Sequence, residues 1–309
     1  MHLLTLGVAM CAGLVFGYTS PAAVEGPGSC QAKLTAFPLD PASKCCTQAS
    51  KDTKVGEGTE IYQHPWAAVV EYKLIKNGLT KRLCAGTLIS AKYVLTSAHC
   101  IIGRVLDIGT PTTVHLGEYD MSHEGKDCVP VSGGGEECND APISIEIETT
   151  IAHPKYYNPD HPSRWNDIGL IRLKEAAPYT DFIRPICLPT TNPEIKTPDH
   201  PFYAVGWNKD VKTLFKMPFV NQEKCKPIFN TSSRSAVLGD GQLCAGGIEG
   251  MDTCKGDGGG PLVYQNQEGL FELTGIVSFG SSPCGLKGIP SVFTNVYEYL
   301  DWIKTIIKS

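Results

Sequence analysis

The feature that most restricts the fold is a rhythm of short apolar runs. From Val55 onward "WAAVVEY", "LCAGTLIS", "YVLTSAHC", "TTVHLGEY", "ISIEIETTIA", "DIGLIRL", "FYAVGW", "GPLVY" and "LFELTGIVSFG" follow one another, separated by Gly, Pro, Asn and Asp. Many short strands with frequent turn signals predict an all-β barrel or sandwich. Only the C-terminus departs from this pattern. There Val296, Tyr299, Leu300, Ile303 and Ile307 recur at three- and four-residue intervals, which predicts a closing amphipathic helix. No internal repeat is visible.

The first residues, "MHLLTLGVAMCAGLVFGYTS", hold one apolar run from Leu3 to Phe16, too short to span a bilayer. It reads as a secretory signal peptide cleaved near Gly17, giving residues 1–17 as the leader, with no membrane span elsewhere. Thirteen cysteines are present, and losing Cys11 with the leader would leave an even twelve. In an exported chain that number implies disulfides. No CxxC or HxxxH-type spacing suggests metal, so neither a metal nor another cofactor is expected. A net charge of −5 without a basic block argues against nucleic acid as the partner. Residues 18–54 are rich in Pro, Ser, Ala and Lys, hold Cys30, Cys45 and Cys46, and lack apolar periodicity. They read as a tethered pro-segment ahead of a single domain over 55–309.

Hydrolysis through a side-chain hydroxyl needs a nucleophile, an imidazole that takes its proton, and a buried carboxylate that fixes the imidazole's tautomer. "LTSAHC" places His99 at the end of one apolar strand, and "NDIGLIRL" places Asp167 just ahead of another. In order, "LTSAHC", "NDIGLIRL", "RPICLP", "CAGG", "GDGGGPLV" and "GIVSFG" resemble the chymotrypsin-like (trypsin-family) serine proteases across residues 55–309. The resemblance implies two packed six-stranded antiparallel β-barrels with the active site between them. It implies His99 as base, Asp167 as orienting acid, and the backbone N–H groups of Gly256 and Gly258 as the oxyanion hole. The family's serine position is Gly258. Glycine has no atom beyond Cα, so His99 has no hydroxyl to deprotonate and no acyl-enzyme can form. Loss of a triad nucleophile costs on the order of 10⁶ in turnover. The expectation is that the chain is not an enzyme.

By the same resemblance Asp252 matches the pocket carboxylate that selects Arg or Lys, and Gly280 matches a wall glycine. Ser291 stands where the second wall glycine is expected. Its hydroxymethyl should either narrow the pocket or hydrogen-bond Asp252. Cleavage after Lys54 would free Val55, whose amino group would pair with Asp257, but the segment is about two residues short and carries Glu57 at a glycine position. The loop after "VGWNKD" is shortened as well.

Matching positions imply the pairs Cys84 with Cys100, Cys225 with Cys244, and Cys254 with Cys284. Cys128 and Cys138 bracket an acidic loop and should close it. Cys187 should tether the pro-segment through Cys45 or Cys46, leaving the other for Cys30. The bridged loop and the tether together resemble the arthropod clip-domain proteases and their serine protease homologues. Only three cysteines lie between the leader and Lys54, against six in a full clip domain, so residues 18–54 read as a linker or a clip remnant. Asn230 in "NTS" is a glycosylation acceptor. Glu118, Glu136 and Glu137 flank a loop that holds calcium in some relatives, and here reads as a solvated acidic loop.

These readings predict a secreted, inactive homologue that binds other secreted proteins as cofactor, scaffold or decoy in an extracellular proteolytic cascade. Prophenoloxidase activation in innate immunity is the example the resemblance supplies, with cascade proteases or prophenoloxidase-like zymogens as partners. Two other readings stay open on sequence alone. One is an active trypsin-like endopeptidase whose serine was replaced experimentally, and the other is a protein that recognises microbial surfaces.

Overall fold

The computed structural model describes residues 37–38, 45–46, 56–57, 59–131, 133–156, 161–192, 202–208, 210–231, 235–265 and 270–307. Its strands are β1 (Gly56–Glu57), β2 (Ala67–Leu74), β3 (Thr80–Leu88), β4 (Tyr93–Thr96), β5 (Gly109–Leu116), β6 (Cys128–Pro130), β7 (Glu136–Cys138), β8 (Ile143–Ala152) and β9 (Gly169–Leu173). They continue with β10 (Phe202–Asn208), β11 (Val211–Met217), β12 (Phe219–Val220), β13 (Gln242–Gly246), β14 (Pro261–Gln265), β15 (Phe271–Phe279) and β16 (Pro290–Asn295). The α-helices are α1 (Gln222–Phe229) and α2 (Leu300–Ile306).

Strands β2, β3, β4, β9, β8 and β5 close into an antiparallel barrel. Closure leaves no unpaired edge. Its interior is filled by Val70, Leu88, Leu95, Leu116 and Leu170, all fully buried. The second sheet runs β1-β11-β10-β14-β15-β16-β13-β12, with eight strands where six were expected. The two extra strands are two-residue edges. Pro218 has no N–H to continue a ladder, so the chain turns there and Phe219 and Val220 pair instead with Ala245 and Cys244 of β13. Strands β10 and β11 pair out to Asn208 and Val211, so two residues connect them, and Asp210 takes a φ of 74°. This is the shortened loop in its folded form.

Helix α1 corrects the expectation that only the C-terminus is helical. Asn221 caps it, its side chain accepting from the Lys224 N–H at 3.0 Å, and Glu223 lies in its first turn. Only Cys225 and Phe229 are buried, and Pro227 sits inside the helix, so its apolar pattern is too sparse to read. At the C-terminus Val296–Tyr299 form a 3-10 turn and the α-helix starts at Leu300. Ile303 is fully buried in the same apolar cluster as Val296, Ile168 and Leu170, which fixes α2 against the first barrel. That burial contributes roughly 1.5–3 kcal/mol.

Disulfides join Cys84 to Cys100, Cys128 to Cys138, Cys225 to Cys244, and Cys254 to Cys284. Cys187 is bonded to Cys46. Cys45 is also disulfide-bonded, and it packs against Ala91 and Tyr179. The leader (1–17), Cys30, Lys54 and Val55 lie outside the described residues. Among the described residues no helix is long and apolar enough to cross a membrane.

Candidate active site

His99 sits in a 3-10 turn, Ala98–Cys100, that follows β4. The neighbouring disulfide pins that turn to Cys84 on β3. Asp167 lies two residues ahead of Gly169, the first residue of β9, and because Thr96 of β4 pairs with Gly169, both side chains emerge at one end of the barrel. The Asp167 carboxylate accepts from His99 Nδ1 at 2.8 Å and from the His99 backbone N–H at 2.9 Å. Ser278 of β15 donates its hydroxyl to the same carboxylate at 2.5 Å. Asp167 is fully buried. Burial alone would raise its pKa, but the His99 charge and hydrogen bond, with the Ser278 hydroxyl, outweigh this and hold it below the ordinary carboxylate value. The base and orienting acid expected from the sequence are therefore brought together, with Ser278 as a third partner the sequence did not reveal.

Gly258 lies in the turn before β14, and its carbonyl accepts from the Ala85 N–H at 2.8 Å. A Cβ placed on Gly258 would stand 2.7 Å from His99 Nε2. The imidazole thus leans into the space where a nucleophile's side chain would start. The next residue, Gly259, has a φ of +82°, and a Cβ there would overlap Thr96 Oγ1 and the Ala85 carbonyl, so only glycine suits the turn. Gly256 has a φ of +110°. Among the described residues the N–H groups of Gly256 and Gly258 have no acceptor.

Asp252 is 7% exposed and Ser291 1%. Of the two outcomes left open for Ser291, the structure shows the hydrogen bond: Ser291 Oγ donates to Asp252 Oδ1 at 2.7 Å. The N–H of Thr253 reaches the same oxygen at 2.8 Å and that of Gly285 reaches Oδ2 at 3.3 Å. Burial raises the pKa of Asp252 despite these donors. A Cβ on Gly280 would overlap Ser291 Oγ, so the serine fills the space between the two walls.

Asp257 accepts from the Cys254 N–H at 2.8 Å and the Trp207 N–H at 3.1 Å. Burial, with the Asp252 charge adding to it, pushes its pKa up to about 6. Among the described residues it has no cationic partner. Asp252 and Asp257 both line a small cavity of about 210 Å³ with Trp207 and Phe215. The segment that follows Val55 begins as β1, which pairs with Thr213 and Leu214 of β11.

The cleft beside His99, about 600 Å³, runs past Gly256, Gly258 and Gly280. Arg164 crosses it: Nη1 donates to the Ser278 carbonyl at 2.8 Å and the guanidinium lies 5.9 Å from the Phe279 ring centre. Lys255 also lines it, and Asp252 does not. Sequence reasoning missed Arg164 because its partners are more than a hundred residues away. Asn230 is exposed at the end of α1. Glu118 is buried and paired with Arg82 at 3.2 Å, whereas Glu136 is exposed and Glu137 half-buried on β7. The three do not converge on one point among the described residues. The cysteines nearest a metal-like grouping, Cys84 and Cys100 beside His99 and Cys128 and Cys138 beside Glu136, are in disulfides.

A trypsin family model matches residues 54–303. The chain is 45% identical over 303 residues to a phenoloxidase-activating enzyme of Bombyx mori, covering 91% of this chain and 67% of that protein. It is 38% identical over 267 residues to CLIP domain-containing serine protease B8 of Anopheles gambiae, covering 81% and 64%. Among solved structures it resembles the Grass clip serine protease of the drosophila Toll pathway, with a TM-score of 0.70 at 32% identity, over 85% of this chain and 74% of that one.

Proposed function

This chain belongs to the trypsin family, and on that premise we propose that it is a secreted, non-catalytic member of an extracellular proteolytic cascade that acts by binding another cascade protein. One observation carries the reading. The residue facing His99 Nε2 where the family has its nucleophile is Gly258, so the base and orienting acid have nothing to activate. Neighbouring side chains offer no replacement. Thr253 is buried beside the pocket, and Cys254 is held in its bridge to Cys284.

The site is otherwise set against turnover. Arg164 occupies the Ser278 carbonyl and covers Phe279, and Ser291 seals Asp252 from the cleft. The cascade comes from the relatives. One is named for activating phenoloxidase and another solved protein belongs to the Toll pathway, and this chain shares their fold over most of its length. Cofactor, scaffold and decoy are the roles open to a member without a nucleophile.

The test is a reconstituted activation assay with a clip-domain protease and its zymogen substrate. Added protein should change the rate of zymogen cleavage in a saturable way while showing no hydrolysis of an arginine ester by itself. Ester turnover by the purified protein would overturn the non-catalytic reading, and an unchanged cleavage rate would overturn the cascade role.

A further inference from the structure

We propose that the emptied nucleophile position is a carboxylate-binding site, and that the cleft around it receives an acidic side chain on an extended segment of a partner protein. The inference deepens the non-catalytic reading and rests on it. Two backbone donors, the N–H groups of Gly256 and Gly258, belong to residues that line the cleft and have no acceptors among the described residues. His99 borders the same space. Its Nδ1 is committed to Asp167 at 2.8 Å, and Nε2 leans to within 2.7 Å of where a Gly258 Cβ would begin. A partner carboxylate accepts from the Gly256 and Gly258 N–H groups, with the Lys255 ammonium lining the same cleft. Charge-assisted bonds from backbone N–H groups to a carboxylate are the stronger class of hydrogen bond.

The surrounding charge has one sign. Lys255 and Arg164 line the same cleft, and no carboxylate among the described residues does. The three acids of the neighbourhood are withdrawn from it, Asp167 beneath His99, Asp252 behind Ser291, and Asp257 held by the Trp207 and Cys254 N–H groups. A cleft with cations and no acid selects against a basic peptide and for an acidic one. This reverses the preference that Asp252 alone would suggest. Ile102, Ile108 and Phe279 add apolar wall, so the fitting segment carries an apolar residue beside its acid. Arg164 is held by the Ser278 carbonyl and the Phe279 ring, so its charge is already positioned before a ligand arrives.

Isothermal titration of the full chain decides it, using acetyl-Leu-Asp-Glu-Leu-amide, the isosteric acetyl-Leu-Asn-Gln-Leu-amide, and acetyl-Leu-Leu-Ala with a free C-terminal carboxylate. The acidic amide should bind at least tenfold more tightly than its isostere, since each hydrogen bond to a charged group is worth roughly tenfold to a hundredfold in affinity. The advantage should shrink when salt is raised from 0.1 to 0.5 M. Lys255→Ala with Arg164→Ala should abolish it, and the wild-type comparison stands if that variant does not fold. Equal affinity for the two amides, or no binding of the acidic one at millimolar concentration, overturns the proposal. Tighter binding of the free-terminus peptide than of the acidic amide overturns the side-chain source. An arginine ester added to the same sample separates the two readings: its hydrolysis sinks the non-catalytic function, whereas equal peptide affinities without hydrolysis sink only the carboxylate site.

Discussion

Replacing Ser291 with glycine should loosen the protein and reopen its pocket to cations. The substitution removes the 2.7 Å hydrogen bond from Ser291 Oγ to Asp252, leaving the carboxylate only the N–H groups of Thr253 and Gly285. Losing a hydrogen bond to a buried charged group costs about 1.5–3 kcal/mol. Glycine within β16 adds about 0.5–1 kcal/mol. The sum, about 2–4 kcal/mol, corresponds to a fall in Tm of roughly 5–15 °C for a domain of this size. The same change empties the space beside Gly280 and frees the Asp252 oxygen that Ser291 holds. Benzamidine, whose amidinium pairs with a carboxylate through two parallel hydrogen bonds, should then bind. At a hundred times its Kd it should return about 2.7 kcal/mol of the lost stability. Differential scanning fluorimetry of both proteins, with and without benzamidine, reads both effects. A variant with unchanged Tm would refute the energetic argument, and a wild-type protein protected by benzamidine as strongly as the variant would refute the sealing of the pocket.

Three further outcomes follow from the structure. His64 is buried, and burial together with the Lys212 charge lowers its pKa to about 3. Its folded form therefore resists the proton that the unfolded chain binds below about pH 6.5. Stability must be lost as pH falls from 6.5 toward 3, and His64→Phe should flatten that loss in pH-dependent denaturation. Asp257 acts in the opposite sense. Its raised pKa, about 6, makes the folded state hold a proton that the unfolded state releases near pH 4, so stability falls as pH rises from 4 to 6, and Asp257→Asn should remove that fall. Finally, the bond between Cys46 and Cys187 means that a cut between residues 47 and 55 leaves the pieces joined on a non-reducing gel, and Cys187→Ser should release them.

Much of this molecule is legible in its sequence because its constraints are local. The short apolar runs become β2, β3, β8 and β15, and the order of motifs places His99 and Asp167 at one barrel end. What escapes is set by contacts between distant segments or by marginal local signals. Ser278 lies 111 residues from the Asp167 it supports, and Arg164 lies 114 residues from the carbonyl it holds. Neither contact has a sequence period. Helix α1 escapes for a different reason: eight residues with two buried side chains and an internal proline leave no stripe to read. His64 belongs to no apolar run in the sequence, yet its ring is buried against Trp66 and Phe271, with ring centres 5.4 Å apart in both pairs. At Ser291 the residue type allowed either narrowing or a hydrogen bond, and only the geometry of β16 against Asp252 decided.

The central claim is that the relay survives without a nucleophile. Its most direct measurement is the intact mass of the purified protein, before and after trypsin-type cleavage near Lys54, following exposure to an excess of a fluorophosphonate serine probe, with trypsin as the positive control. The account predicts no mass gain at any time, because a Gly258 without a side chain gives the probe nothing to phosphonylate. A single stoichiometric adduct on the native chain would show that another hydroxyl answers to His99, and would contradict it.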